Sequence, residues 1–297
     1  MTAKHPALAW ALFVILSIIW GSSFILIKKG LTALDPEEVA ALRIASASLV
    51  LLPFAVSRIK QINKKNITSL ILVGFMGSLL PALFFALAQT KLPSALTGIM
   101  NALTPFFTII ISVLFFNVKP DKRVYFGVTL GFLGTLFLIS TRENGQLSFN
   151  YYAFFVVAAT VLYGINANLI KHYLGGLKSL SIASLSLIMV GPLAVIYLFL
   201  FTPFLDHIHE PKVLMASGYI VILGVLGTAV ALILFNKMVQ LTNAVFSTSV
   251  TYVIPIISVF WGFIDGEKLS LLQLVSMLTI MLGIFISNSK KVIKKLG

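Results

Sequence analysis

The stretch NALTPF, Asn101 to Phe106, sets an amide, a hydroxyl and a proline in the middle of an otherwise apolar run from Ser94 to Phe116. A proline inside a helix leaves the carbonyl four residues back without its donor and bends the chain. Here that carbonyl belongs to Asn101. In hydrocarbon an unsatisfied carbonyl is costly, so the bend has to face protein or a watery cavity. Taken alone, such a proline reads as a packing kink with a locally bonded side chain. A second copy changes that reading: TYVIPI, Thr251 to Ile256, again holds a polar residue four positions before a proline in mid-run, at an offset of 150 residues.

The surroundings of both stretches are membrane-like. Of 297 residues, 59% are hydrophobic and 10% charged, and the mean hydropathy is +1.02, a balance that a water-exposed surface does not tolerate. A helix needs about 20 apolar residues to cross a bilayer. Ten such runs are expected, at 7–27, 38–57, 67–90, 94–116, 123–140, 151–170, 180–202, 214–237, 244–264 and 268–287. The first is too long, and lacks a convincing small-residue cleavage site, for a secretory leader, so it reads as a retained span. The chain has no cysteine, which removes disulfides, thiolate metal sites and cysteine nucleophiles.

A net charge of +13 would suggest nucleic acid in a soluble protein, but these cations flank apolar runs and form no single patch. No nucleic-acid partner is expected. Lys4, Arg58, Lys60, Lys64, Lys65, Lys119, Lys122, Arg123, Lys171, Lys178, Lys237 and the tail KKVIKK fall on one side. The other side holds Lys28, Lys29, Lys91, Arg142, Lys212 and Lys268. The positive-inside rule therefore puts both termini in the cytoplasm of a cell-membrane protein. The tail is expected to meet anionic lipid there, or simply to serve orientation and solubility. A monomer is the expected state.

Internal similarity extends beyond the prolines. GFMGS (Gly74 to Ser78) aligns with GVLGT (Gly224 to Thr228), and WGSSFILIK (Trp20 to Lys28) with YGINANLIK (Tyr163 to Lys171). With a one-residue gap, Gly134 meets Gly283. Four matches in one order predict a duplication: residues 1–142 and 143–297, each with five spans. An odd number of crossings inverts the second half, an arrangement found in secondary transporters whose site lies near the midplane between the repeats.

The paired five-span halves, the WG of the first span with its counterpart YG, the proline-centred fourth and ninth spans, and the GE at Gly266 and Glu267 resemble the drug/metabolite transporter superfamily, and within it the EamA-type family. The resemblance implies an all-α fold of ten helices around a central cavity. It also implies outward movement of metabolites such as amino acids, or of drugs. One position departs from the pattern: Asn117 stands where Glu267 stands in the second half, which puts a paired role for that glutamate in doubt.

The interior chemistry narrows the solute. The nine acids, Asp35, Glu37, Glu38, Asp121, Glu143, Asp206, Glu210, Asp265 and Glu267, all fall in predicted loops or at span ends, as do the four histidines. Exporters of lipophilic cations commonly use a membrane-embedded carboxylate, so a cationic substrate is disfavoured. Trp20, Ser23, Asn101, Tyr163, Asn166, Asn168, Asn236, Thr251 and Tyr252 are the candidate substrate contacts. Amides, hydroxyls and aromatics of this kind suit a zwitterionic or neutral metabolite, amino acids foremost. Pro105 and Pro255 are the candidate hinges. Lone serines and threonines in such helices usually bond their own backbone, which favours the asparagines and aromatics. Arg43 and Lys237 are expected to snorkel to the span ends, with a substrate carboxylate as the minority reading for Arg43. Gly127, Gly131 and Gly134 share a helix face and predict close helix packing.

Two other function classes compete. A multidrug efflux carrier fits the same spans. A membrane enzyme acting on a lipid-linked substrate would want clustered acids, histidines or metal ligands. Its best candidate is DHIHE, Asp206 to Glu210, which reads as a solvated loop before it reads as a metal site. No cofactor and no metal is expected.

Overall fold

A computed structural model of the protein describes residues 6–118, 122–139, 150–242 and 244–293. The expected boundary at 142/143 lies outside them, as do Lys4, Lys119, Asp121, Arg142, Glu143, Lys294 and Lys295. Among the described residues the chain is all helical, without strands. The helices are α1 (Pro6–Gly21), α2 (Ser23–Gly30), α3 (Pro36–Arg58), α4 (Ile67–Gly74), α5 (Leu80–Gln89), α6 (Ser94–Met100), α7 (Thr104–Phe116) and α8 (Lys122–Ile139). They continue as α9 (Ala153–Tyr173), α10 (Ser179–Leu200), α11 (Phe204–His207), α12 (Pro211–Ile222), α13 (Ala231–Leu241), α14 (Ala244–Thr248), α15 (Ile254–Ile264) and α16 (Leu271–Ile293).

Eight continuous helical stretches are long and apolar enough to cross a membrane: Ala7–Gly30, Pro36–Gln61, Ile67–Gln89, Ser94–Phe116, Ala153–Tyr173, Ser179–Leu200, Pro211–Leu241 and Ala244–Ile264. The two other expected spans coincide with α8 and α16, whose apolar parts, Tyr125–Gly134 and Leu271–Gly283, are shorter. In both, basic or polar residues enter the helix within a turn or two of the apolar stretch, as Lys122 and Arg123 do in α8.

The distribution of side chains suits a bilayer and would fail in water. Phe263, Leu200 and Phe285 are 80%, 74% and 70% exposed, whereas Asn166, Asn168 and Asn236 are 1–3% exposed.

Besides the turn at Ser22 between α1 and α2, four spans are interrupted in their middle by π or 3-10 turns, and these recur. A π-helical turn at Phe75–Leu79 joins α4 to α5, and a longer one at Leu223–Val230 joins α12 to α13. A 3-10 turn at Asn101–Leu103 precedes α7, and another at Ser249–Tyr252 leads to α15. The π turns coincide with the matched segments GFMGS and GVLGT, and the 3-10 turns with the matched prolines. Glycine permits close approach at both π turns: a Cβ on Gly74 would lie 2.4 Å from Ser186 O, and one on Gly224 would lie 2.6 Å from Arg43 O. Packing follows the same recurrence. α3 lies on α10 and α8 on α16, while the contact of α5 with α9 is echoed by α1 with α13, and α7 with α9 by α15 with α1. The glycine face of α8 packs as expected, since a Cβ on Gly283 would meet Gly127 O and Gly131 N at 2.5 Å.

Candidate functional site

The interruptions surround a cavity between the two halves. Its walls include Trp20, Ser23, Arg43, Ser78, Phe85, Asn101 and Thr104 from the first half, and Tyr163, Asn166, Thr228, Phe235, Thr248 and Thr251 from the second. It holds about 750 Å³ of atom-free space, including the part open to the surroundings. Six of the nine candidate contacts, Trp20, Ser23, Asn101, Tyr163, Asn166 and Thr251, therefore meet there.

The aromatics are fixed by neighbours. Trp20 Nε1 donates to Gly227 O at 3.0 Å, a carbonyl in the longer π turn, and its ring leans on Phe235 at 5.3 Å. Tyr163 stacks on Phe85 with centroids 5.9 Å apart. The hydroxyls are largely spent on their own helices, as expected: Ser23 donates to Ile19 O, Thr248 to Ala244 O and Thr251 to Thr248 O. The carbonyl of Asn101 is a correction. The proline reading leaves it without a donor, but Thr104 Oγ1 donates to it at 2.9 Å. Pro105 and Pro255 sit in the first turns of α7 and α15, where a missing N–H costs no intrahelical bond; the preceding 3-10 turn absorbs the bend.

Three candidates are not on the wall. Asn168 clamps α9 to α7: its Oδ1 accepts from Ser112 Oγ at 2.7 Å, and its Nδ2 donates to Thr108 O and Gly164 O. Asn236 reaches from α13 toward Ser179 O at 3.4 Å. Tyr252 packs half-buried against the apolar core. Helical periodicity puts Asn168 and Asn166 on different faces of α9, and only Asn166 turns to the cavity.

Arg43 is a second correction. Instead of snorkelling, it is 8% exposed and donates from Nε to Thr228 Oγ1 at 2.8 Å across the cavity wall, with the Tyr163 hydroxyl beside it. It lies seven residues beyond Pro36 at the start of α3, about 10 Å along the axis, and α3 packs there on α10 and on both π turns. Its signal was visible as the one cation inside the second predicted span. Lys237 is exposed, as expected.

Carboxylates cluster at helix ends. Glu38, expected at a span end, is fully buried; its Oε2 accepts from Asp35 N and its Oε1 lies 3.0 Å from His207 Nε2. His207 thus leaves the solvated loop in which it was expected, while His209 stays exposed. Among the described residues no group of three or more His, Asp or Glu could hold a metal. Just beyond the cavity-lining Ile27, Lys28 Nζ meets Asp265 Oδ2 at 2.7 Å and Glu267 Oε1 at 2.8 Å, and Lys29 pairs with Asp265. Glu267 also receives Ser94 N, Ser94 Oγ and Ala95 N. Burial alone would raise the Glu267 carboxyl, but these donors and Lys28 hold it below its ordinary value. Hydrogen bonds from Lys28 and Lys29 do the same for Asp265. Asn117, the expected counterpart of Glu267, instead closes α7 in the left-handed conformation at φ 51°, as Gly266 does after α15 at φ 79°.

A multi-pass helical membrane protein with a partly polar cavity between two similar halves is the class that fold and site define. The model of the EamA-like transporter family matches residues 8–140 and again 150–289, and the chain belongs to that family. It is 25% identical to the uncharacterized inner membrane transporter YedA of Escherichia coli (strain K12), over 89% of this chain and 84% of that one. It is 29% identical to a "Probable amino-acid metabolite efflux pump" of Salmonella typhimurium (strain LT2), over 46% of this chain and 44% of that one. A solved crystal structure shares the fold with a TM-score of 0.63 at 17% identity, covering 97% of this chain and 98% of that chain.

Proposed function

We propose that the protein is a carrier that moves small metabolites, amino acids or related zwitterionic and neutral solutes, outward across the cell membrane by alternating access. Ten spans form two inverted five-helix repeats, with α8 and α16 as the fifth and tenth. The recurrent interruptions and contacts described above support this. Both termini face the cytoplasm, where the basic tail meets anionic lipid, and the monomer is the working unit.

The observation that carries the substrate class is the cavity wall. Amides, hydroxyls and aromatics surround it, and among the described lining residues there is no carboxylate. A lipophilic cation would find no counter-charge there. The name of the Salmonella relative, which matches about half of this chain, points the same way.

Uptake of labelled amino acids into liposomes containing the purified protein tests this. Saturable movement of some amino acids, with no competition from lipophilic cations, is the expected result. Flux of cations alone would favour the multidrug reading.

A further inference from the structure

Resting on the reading of the cavity as the transport site, we propose that Arg43 is its carboxylate anchor and Asn166 its ammonium acceptor, so that the solute is an α-amino acid held by both ends. Arg43 is 8% exposed and lines the cavity. Lys28, Lys29 and His207 each have an acidic partner, but no carboxylate of the described residues lies within ion-pair distance of Arg43. Its polar neighbours, Thr228 Oγ1 and the Tyr163 hydroxyl, are neutral. A buried guanidinium left with neutral partners is strongly disfavoured unless a counter-anion reaches it. Thr228 occupies Nε, and the remaining N–H groups offer the planar fork that matches a carboxylate in two parallel hydrogen bonds.

Asn166 supplies the second end. Its side chain lies on the cavity wall in a residue only 3% exposed, and its Oδ1 has no hydrogen-bond partner. It stands three residues after Tyr163, so the two backbones lie about one helical turn, ~5 Å, apart along α9, and Asn166, Tyr163 and Arg43 line the same cavity. A buried, unpaired acceptor calls for a donor such as an ammonium. A single cation on the described wall favours a singly charged carboxylate over a phosphate, which would draw more positive charge.

The test is thermal stabilisation of the purified full chain by a matched panel. It comprises L-amino acids, their carboxamides, the corresponding amines, the deaminated acids and inorganic phosphate. Some amino acids should raise the melting temperature, with carboxamides and amines binding at least about tenfold more weakly. Arg43→Gln should abolish the discrimination between acid and amide, and Arg43→Lys should keep part of it. Asn166→Leu should weaken amino acids but leave the deaminated acids unchanged. Should Arg43→Gln not fold, Thr228→Val, which removes the Nε acceptor alone, should still shift the acid-to-amide ratio. Equal binding of acids and amides by the wild type, or full retention in Arg43→Gln, overturns the anchor; if those amides also move in liposomes, the carrier reading stands without it. If no member of the panel binds and none moves, the carrier reading falls and this inference with it.

Discussion

Lys28 Nζ stands 2.8 Å from Glu267 Oε1, joining the end of the first span to the turn between α15 and α16, while Glu267 also caps the amides of Ser94 and Ala95 at the start of α6. Three elements are therefore held by one carboxylate, 6% exposed. At the matching position of the second half, Lys171 instead donates to the carbonyls of Val239 and Thr242 at the end of α13. In an inverted arrangement these lysines would close opposite mouths of the cavity. Among the described residues Lys28 meets carboxylates and Lys171 only carbonyls, and Asn117 terminates α7 where a counterpart of Glu267 would stand.

Glu267→Gln should destabilise the folded protein by about 1–3 kcal/mol, since buried donors lose a charged acceptor. Thermal unfolding measures the loss. Alkylation of cysteines placed near Ser94 should speed up in the same variant if the mouth opens more often. Unchanged labelling would reduce the cluster to a static brace.

The same cluster sets a pH dependence. The folded-state values of Glu267 and Asp265 are depressed below their ordinary 4.5 and 3.8. The unfolded chain then binds protons more readily than the folded one, so stability from the cluster is present above about pH 4.5 and is lost as pH falls through the depressed folded values. Melting temperature between pH 7 and pH 3 should decline less steeply in Glu267→Gln than in the wild type.

Asn166→Ala and Asn168→Ala should separate binding from stability. Asn166 presents an unpartnered oxygen at the cavity, so its loss should weaken solute binding by about 1–3 kcal/mol with little change in melting. Asn168 makes three hydrogen bonds, two of them across the α7–α9 contact, so its loss should lower the melting temperature and leave the affinity of the surviving protein unaltered. Asn101→Ala should weaken binding less than Asn166→Ala, because the Asn101 carboxamide oxygen already receives Thr104 Oγ1, at 3.3 Å. Ligand-dependent thermal shifts report both quantities.

Pro105→Ala and Pro255→Ala should slow transport more than they reduce folded protein. Restoring an N–H in the first turn of α7 or α15 lets a regular helix extend back through the 3-10 turn that shapes the cavity wall. Flux normalised to reconstituted protein is the measurement, and wild-type flux in both variants would leave the prolines as packing residues.

Gly283→Ala should cost about 1–3 kcal/mol by overpacking, because its Cβ would meet backbone atoms of Gly127 and Gly131 at 2.5 Å. Gly218→Ala, with nothing within 4 Å of its Cβ, should be neutral or stabilising by up to about 1 kcal/mol. Parallel melting curves in one lipid composition check the pair.

Hydropathy alone determined that the chain is a bundle of apolar helices, because a bilayer selects on length and polarity, both of which are additive along the chain. The matched prolines and glycines were legible for a related reason: each imposes a local backbone consequence, and the 3-10 and π turns lie at those segments. The behaviour of Ser23, Thr248 and Thr251 is likewise local, since a helix brings a hydroxyl within reach of the carbonyl three or four residues back. What no local rule supplies is the rotation of one helix against another. That rotation turns Asn166 to the cavity and Asn168 into α7, although only Ala167 separates them. It brings Thr228 to Arg43 from 185 positions away and so makes an interior charge of a residue that sequence position assigned to the surface. It also gathers Lys28, Asp265, Glu267 and Ser94 into one cluster. Charges and amides take their meaning from partners within about 3 Å, and only the packing of these helices decides which partners those are.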